Sequence, residues 1–380
     1  MDLKSKWLKY IGIILLIFLL GFGSYFFFVK EDKSPSPSVP KEEKGVGSSK
    51  ESEVQDITVI AEGLEIPWEV AFLPDGDYLV TERPGRLLRI GENREIIEIS
   101  GVRHVGEGGL LGLQLHPNFE NNSYIYLYLT SEAENGLINR VERYRINGTS
   151  LSDRTVIIDN IPGAVYHDGG RMEFGPDGYL YITTGDAGNE DLAQDTSVLN
   201  GKILRLNDDG SIPEDNPFGN AVYSYGHRNP QGLTWDSEGN LWSTEHGRSG
   251  VRSGFDELNL IEMGNNYGWP TIQGDESQEG MVKPVIHSGP STTWAPAGAE
   301  FVNGSIFFAG LRGVTLYQAQ LAGEGVERFL KHFEDRFGRL RVVRIGPDGF
   351  LYVTTSNRDG RGSVQEGDDK LIRINPEIFN

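Results

Sequence analysis

From about residue 55 the chain repeats one unit: an apolar strand, a tight turn, a second strand, a loop and a third strand. No other feature limits its possible folds as much. The turns are Pro74-Asp75-Gly76, His116-Pro117-Asn118, Pro176-Asp177-Gly178, Asp236-Ser237-Glu238-Gly239, Asn303-Gly304 and Pro347-Asp348-Gly349. Proline fixes φ where such a turn begins, and glycine supplies the positive φ where it ends. The second strands, Tyr124–Thr130, Tyr179–Thr184 and Phe350–Thr355 among them, are rich in β-branched and aromatic residues. Three of the third strands share a motif: Leu87-Leu88-Arg89-Ile90, Ile203-Leu204-Arg205-Leu206 and Leu371-Ile372-Arg373-Ile374.

One such unit cannot bury its own faces, so repeats of this kind stack. Six of them predict an all-β, six-bladed β-propeller, with four-stranded blades around a central channel. The fourth strands come from connections such as Glu95–Ile99 or Thr155–Ile158. Two packed sandwiches are the rival. Regular hairpin spacing and scarce helical periodicity favour the propeller, and only Leu321–Phe333 reads as a helix.

The first 54 residues stand apart. Lys4, Lys6 and Lys9 precede an uninterrupted apolar run, Tyr10 to Val29. About 20 apolar residues span a bilayer as a helix, and flanking lysines keep the N-terminus inside. The expected division is a cytoplasmic N-terminus over 1–9, a transmembrane signal-anchor over 10–29, a disordered linker over 30–54 and a catalytic propeller over 55–380. A cleaved signal peptide is the rival, but no A-x-A site follows the run. The expectation is a single-pass cell-membrane protein whose propeller is extracytoplasmic. The sequence has no cysteine, which removes disulfides, thiolate metal sites and a lipoprotein anchor. A net charge of -20 argues against nucleic acid and is compatible with calcium.

A hairpin returns its second strand to the edge where the first began. His167, before the first strand of the third unit, and Asp186, after its second strand, therefore share one edge. Across all units that edge also collects Trp68, Arg83, Glu107, Arg228, Asn229, His246, Trp294, Arg339, Arg341 and Asn357. His167 is either a general base oriented by Asp186 or a histidine satisfying a loop. Arg228-Asn229 either binds an anion or belongs to a hydrogen-bonded loop. Arg339 and Arg341 alternate along one strand, so they share a face. They require either protein carboxylates or a polyanionic ligand. Glu245-His246-Gly247 with Asp256-Glu257 and Asn265 to Pro270 forms an oxygen-rich cluster that suits calcium weakly. Scattered histidines make zinc a poor fit.

These segments together resemble the PQQ-dependent soluble aldose sugar (glucose-type) dehydrogenases. The resemblance runs from about Ile57 to Asn375. It rests on GLEIPWEVAFLPDG, GEGGLLGLQLHPNF, YHDGGRMEFGPDGYLYITTGD, LNGKILRLNDDG, YGHRNPQGLTW, TEHG, DELNLIEMGNNYGWP and RVVRIGPDG. It implies that His167 is the catalytic base, supported by Asp186, and that Arg228 faces the quinone of PQQ. Asn229, His246, Arg339 and Arg341 complete the implied cofactor site, with Glu107 and Trp294 toward the sugar. Gly247 and Arg248 fall where carbonyls hold a calcium that PQQ also ligates, and Glu257 and Tyr267 at a second calcium. Implied partners are an aldose substrate, an external electron acceptor and, through the N-terminal helix, the membrane.

The soluble glucose enzymes carry lysine and glutamine where this chain has Leu311 and His246, and glutamine where it has Glu107. Those choices resemble the aldose sugar dehydrogenase branch. Two other functions compete. A calcium-dependent propeller lactonase would leave Arg228, Arg339 and Arg341 unexplained. A non-enzymatic extracellular binding propeller would not need a His–Asp pair.

Overall fold

The computed structural model describes residues 43–44, 56–250 and 253–379. The expected membrane span over 10–29 and most of the expected linker lie outside these residues. Among the described residues no helix is long and apolar enough to cross a membrane. Within the expected linker, Glu43–Lys44 forms a two-residue strand parallel to Leu330–Lys331.

Six sheets form, each with four antiparallel strands in its blade. Blade one holds Pro67–Phe72, Tyr78–Glu82, Arg86–Ile90 and Arg94–Glu98. Blade two holds Leu110–Leu115, Tyr124–Ala133, Gly136–Asn147 and Ser150–Pro162. Blade three holds Met172–Phe174, Leu180–Thr184, Lys202–Leu206 and Val222–Tyr225. Blade four holds Pro230–Trp235, Leu241–Glu245, Glu257–Ile261 and Ile286–His287. Blade five holds Pro296–Val302, Ser305–Gly310, Thr315–Ala322 and Gly325–His332, with Glu43–Lys44 along its outer edge. Blade six joins Leu340–Ile345, Leu351–Thr355 and Leu371–Ile374 to the early strand Ile57–Ala61.

Successive first strands touch around the axis, and Leu340–Ile345 meets Pro67–Phe72 to close the ring. A closed ring leaves only short outer edges exposed. Apolar clusters fill the spaces between neighbouring blades, as where Leu79, Leu87, Leu110, Leu127 and Leu129 meet. The expected fourth strands form, as Arg94–Glu98 and Ser150–Pro162. The expected helix does not. Ala322 ends one strand, Gly325 starts the next, and Gly323 turns between them at φ +60°.

The repeated motif has a physical cause. The turn aspartate accepts a bond from an aromatic residue of the second strand: Tyr181 to Asp177 at 2.9 Å, Tyr352 to Asp348 at 3.0 Å and Trp242 to Asp236 at 2.9 Å. The arginine of the third strand reaches a turn carboxylate of its own blade. Arg89 pairs with Asp77 at 2.7 Å, Arg205 with Asp177 at 3.2 Å and Arg373 with Asp348 at 2.6 Å. Blades three and six thus tie strand, turn and strand with the same three side chains, and blades one and four keep one of the two links.

Near the axis the first strands are also cross-linked by buried charge. Glu69 pairs with Arg171 and, at 3.0 Å, with Arg344. Arg344 also pairs with Glu173 and lies 3.7 Å from Glu300. Burial raises Glu300 to about 8 despite Arg344.

Candidate active site

His167 lies in the loop before the first strand of blade three, with backbone φ of +62°. Few residues other than glycine adopt that conformation without support. Here the support is Glu107, whose Oε2 accepts the His167 N–H at 3.0 Å. The His167 Nδ1 lies 2.7 Å from Asp186 Oδ1. A carboxylate accepts only, so Nδ1 carries the proton and Nε2 is the ring's free acceptor. Asp186 Oδ1 also accepts the Gly188 N–H at 2.8 Å, and Oδ2 accepts the Trp269 indole N–H at 2.9 Å. Burial pushes Asp186 up, but its bond with His167 and the other donors outweigh that and hold it below the usual carboxylate range.

A cavity of about 550 Å³ opens beside His167. Arg228, Arg248, Arg312, Arg339 and Arg361 reach it, against the carboxylates Glu107 and Asp256. A side groove shares Tyr166, His167, Arg228, Arg248 and Ser249 with this cavity and adds Asp186 and Trp269. The walls are therefore rich in guanidinium, as a site for a polyanion would be.

The arginines differ in how they are held. Arg228 Nη2 donates to Ser249 Oγ at 2.9 Å, and Nη1 to the His246 carbonyl at 3.4 Å. Burial pushes its guanidinium down. Arg339 donates twice to Asp359 and once to the Leu311 carbonyl. Among the described residues Arg341 has no carboxylate partner. Its Nη1 donates to Gln231 Oε1 at 3.0 Å, and its buried Nε has no partner. Burial and the neighbouring Arg83 push it down to about 9. An unpaired buried cation of this kind is what an anionic ligand would relieve. Protein carboxylate thus serves Arg339, while Arg341 still lacks an anion.

The turn that carries Arg228 and Asn229 is fixed from below. Glu245 Oε1 accepts both backbone N–H groups, and Oε2 accepts His227 Nδ1–H at 2.9 Å. His227 Nε2 pairs with Ser224 Oγ at 2.9 Å, and its ring stacks on Tyr267. Asn229 Oδ1 accepts from the Gly169 N–H and from Gln231 Nε2, at 3.0 and 3.2 Å. His246 borders the cavity with Nε2 buried and unpartnered. Burial, with Arg228 and Arg341 close by, holds its imidazole neutral.

The residues implied for calcium fall in two groups. Gly247 and Arg248 line the cavity. A Cβ on Gly247 would strike the Gly254 and Phe255 carbonyls, so only glycine fits there. Glu257 and Tyr267 do not line the cavity. The Tyr267 hydroxyl donates to the Leu260 carbonyl and accepts from the Glu262 N–H, which leaves its own carbonyl for other partners. Burial, with Glu245 nearby, raises Glu257 to about 8, and one bond from Asn259 at 3.1 Å relieves it. Among the described residues no group of three or more His, Asp or Glu side chains is arranged to hold a metal.

Trp294, expected toward the substrate, instead packs against Phe308, Tyr317 and Phe329 in the blade-five core. Its neighbours Thr293 and Ala295 line the cavity. Three contributors carried no sequence signal: Asp359, Glu245 as the support of the Arg228 turn, and the indole of Trp269.

The sequence model of the family described as glucose / sorbosone dehydrogenase matches residues 64–372. An aldose sugar dehydrogenase of Escherichia coli, YliI, is 33% identical over 84% of this chain and 93% of its own. A PQQ-bound aldose sugar dehydrogenase from Streptomyces coelicolor is 39% identical with a TM-score of 0.78, over 83% of this chain and 97% of its own. A putative oxidoreductase (glucose dehydrogenase) from Thermus thermophilus is 47% identical with a TM-score of 0.80, over 84% of this chain and 99% of its own.

Proposed function

The chain belongs to the glucose/sorbosone dehydrogenase family, and from that premise we propose that it is a PQQ-dependent aldose sugar dehydrogenase that oxidises the anomeric hydroxyl to a lactone. One observation carries the reading: His167, paired with Asp186, lines a cavity with five arginines, and Arg341, buried near His246 though not itself a lining residue, has a guanidinium Nε without a partner. The excess of guanidinium and the unpartnered Arg341 Nε fit the carboxylates of PQQ, and the neutral His246 adds no further cation.

Bound PQQ supplies a quinone that accepts a hydride. The chain's own groups do the rest. His167 Nε2 takes the proton of the anomeric hydroxyl as general base. Asp186 keeps Nδ1–H in place and stabilises the imidazolium that results. Arg228 aims positive charge at oxygens that gain charge during the reaction. Arg341 would hold a carboxylate of PQQ, and Arg339, already paired with Asp359, would stand beside it. Asn229 offers only its amide N–H groups, because Oδ1 is already engaged. Glu107 fixes the His167 backbone with one oxygen and accepts Arg361 with the other at 2.7 Å, so it meets the sugar beside an ion pair.

We further infer two calcium sites. The Gly247 and Arg248 carbonyls would hold one beside PQQ. Glu257 and the Tyr267 carbonyl would hold the second, where a cation would replace the proton that burial keeps on Glu257. Electrons leave to an external acceptor, and the apolar run over 10–29 tethers the propeller outside the cytoplasmic membrane. The test is to titrate the cofactor-free protein with PQQ, with calcium or with a chelator, and to follow dye reduction across a panel of aldoses. Reduction that needs PQQ and is lost with the chelator is expected. No reduction with any aldose at saturating PQQ and calcium sinks the reading and returns the lactonase.

A further inference from the structure

Trp269 lies in the long loop between the last two strands of blade four and touches three groups of the site at once. Its indole Nε1–H donates to Asp186 Oδ2 at 2.9 Å, on the oxygen that His167 does not use. Its ring faces two guanidinium carbons, Arg228 at 5.4 Å and Arg248 at 5.0 Å from the centroid. The residue is fixed behind. Its backbone N–H donates to the Gly226 carbonyl at 2.9 Å, and its carbonyl accepts Gln194 Nε2 at 2.6 Å. Gln194 is in turn clasped to Asn266 by two hydrogen bonds between their side-chain amides, at 3.0 and 2.7 Å. With 9% exposure, the indole has little freedom to turn away.

We propose that Trp269 is a positioning residue that tempers the basicity of the His167–Asp186 pair and fixes Arg228 at a set distance from it. Only the kinetic part of this proposal rests on the dehydrogenase reading. A hydrogen-bond donor on a carboxylate draws charge from it and weakens its pull on the other partner. Without the indole N–H, more negative charge faces the imidazole, and the imidazolium is favoured. The other groups around His167 are Glu107 through the backbone N–H, Arg228, His246 and Tyr166, whose ring centroid is 4.9 Å away. Of these, only Arg228 also touches the indole. Should it drift outward when the ring face is lost, less positive charge would oppose the imidazolium, which acts in the same direction.

The first test uses the unaltered protein. Its six tryptophans give six indole N–H resonances by NMR, and through-space contacts with the Arg228 and Arg248 side chains that the ring faces identify the one of interest. That resonance is expected to move with the titration of the His167 ring, and to stop moving in His167→Gln. A resonance that stays flat through that titration overturns the proposal, whether or not the tryptophan variant folds. The second test is Trp269→Phe itself. Its His167 ring titration, and the acid limb of kcat/KM for an aldose, should both move up by about one pH unit, with KM little changed. Slower turnover with both midpoints in place would make Trp269 a structural residue and overturn the proposal. If the wild-type protein oxidises no aldose with PQQ, the dehydrogenase reading falls, while the NMR coupling still decides this one.

Discussion

Asp359 accepts two bonds from Arg339, from Nε at 2.9 Å and Nη2 at 2.7 Å, and is buried with it. Two residues further on, inside the strand that Arg339 precedes, Arg341 among the described residues bonds an amide oxygen and no carboxylate. Arginines that share a face in the sequence are therefore unequal in charge balance. Arg341→Ala is expected to weaken PQQ binding strongly, with the sugar KM at saturating PQQ little changed. Arg339→Ala instead leaves Asp359 buried and unpaired, which costs about 3–5 kcal/mol. It should lower the unfolding temperature more than Arg341→Ala does. Fluorescence titration and thermal unfolding of both variants check this, and equal losses of PQQ affinity with equal stability would refute the distinction.

His167→Gln keeps a similar shape and removes the free ring nitrogen. Loss of a general base should cost on the order of 10²–10⁴ in kcat. PQQ affinity should hold, because none of the proposed carboxylate contacts involves His167. Near wild-type turnover in this variant would remove the base assignment.

Arg228→Ala should behave differently again. Its proposed partner gains charge only as the reaction proceeds, so kcat should fall even at saturating PQQ. Single-turnover rates at saturating PQQ measure this. A normal rate with weakened binding would make Arg228 an anchor like Arg341.

The fold was legible because its signals are local. In blades three and six a turn aspartate, an aromatic residue four positions on and an arginine of the third strand satisfy one another within the blade, as with Asp177, Tyr181 and Arg205. Leu321–Phe333 misleads because charged and apolar residues mix at helical intervals, while Gly323 supplies the turn that makes it a hairpin. His167 and Asp186 were legible because they flank, before and after, the two strands of one hairpin. Trp294 was misjudged by one position: side chains alternate near a strand, so Thr293 and Ala295 face the cavity and Trp294 the core. Asp359, Glu245 and Trp269 act through space between loops or blades, and no periodicity reports such contacts.

Glu300 carries a stability prediction. Burial raises its carboxyl to about 8, above the ordinary 4.5. The folded protein therefore holds a proton that the unfolded chain has lost between those values. That contribution is fully present below about 4.5 and is lost as pH rises through about 8. Glu300→Gln mimics the neutral form and should abolish the loss. The two proteins should be about equally stable at low pH, and the variant more stable at about pH 9 by an amount on the order of a few kcal/mol. Urea unfolding at both pH values measures it, and parallel pH profiles would refute the assignment.

The last prediction concerns where the chain can be shortened. Ile57–Ala61 pairs with Leu371–Ile374 from the far end of the chain and supplies the outer strand of blade six. These are the contacts that hold the N-terminal part of the propeller to its C-terminal part in one sheet. Of the polar stretch before it, the described residues Glu43–Lys44 pair along the outer edge of blade five. A chain beginning at Ser52 keeps the closing strand and should be soluble, with kcat and PQQ affinity close to those of the full chain in detergent. A chain beginning at Glu62 loses the strand and exposes the edge of Leu371–Ile374 to other chains, which invites aggregation. Sedimentation and dye-reduction assays on the two chains test this. If the Ser52 chain aggregates, or is inactive while the full chain works, then the propeller needs residues before 52 and the boundary near 55 is wrong. If the Glu62 chain is as stable and active as the longer one, the closure of blade six does not hold the ring together.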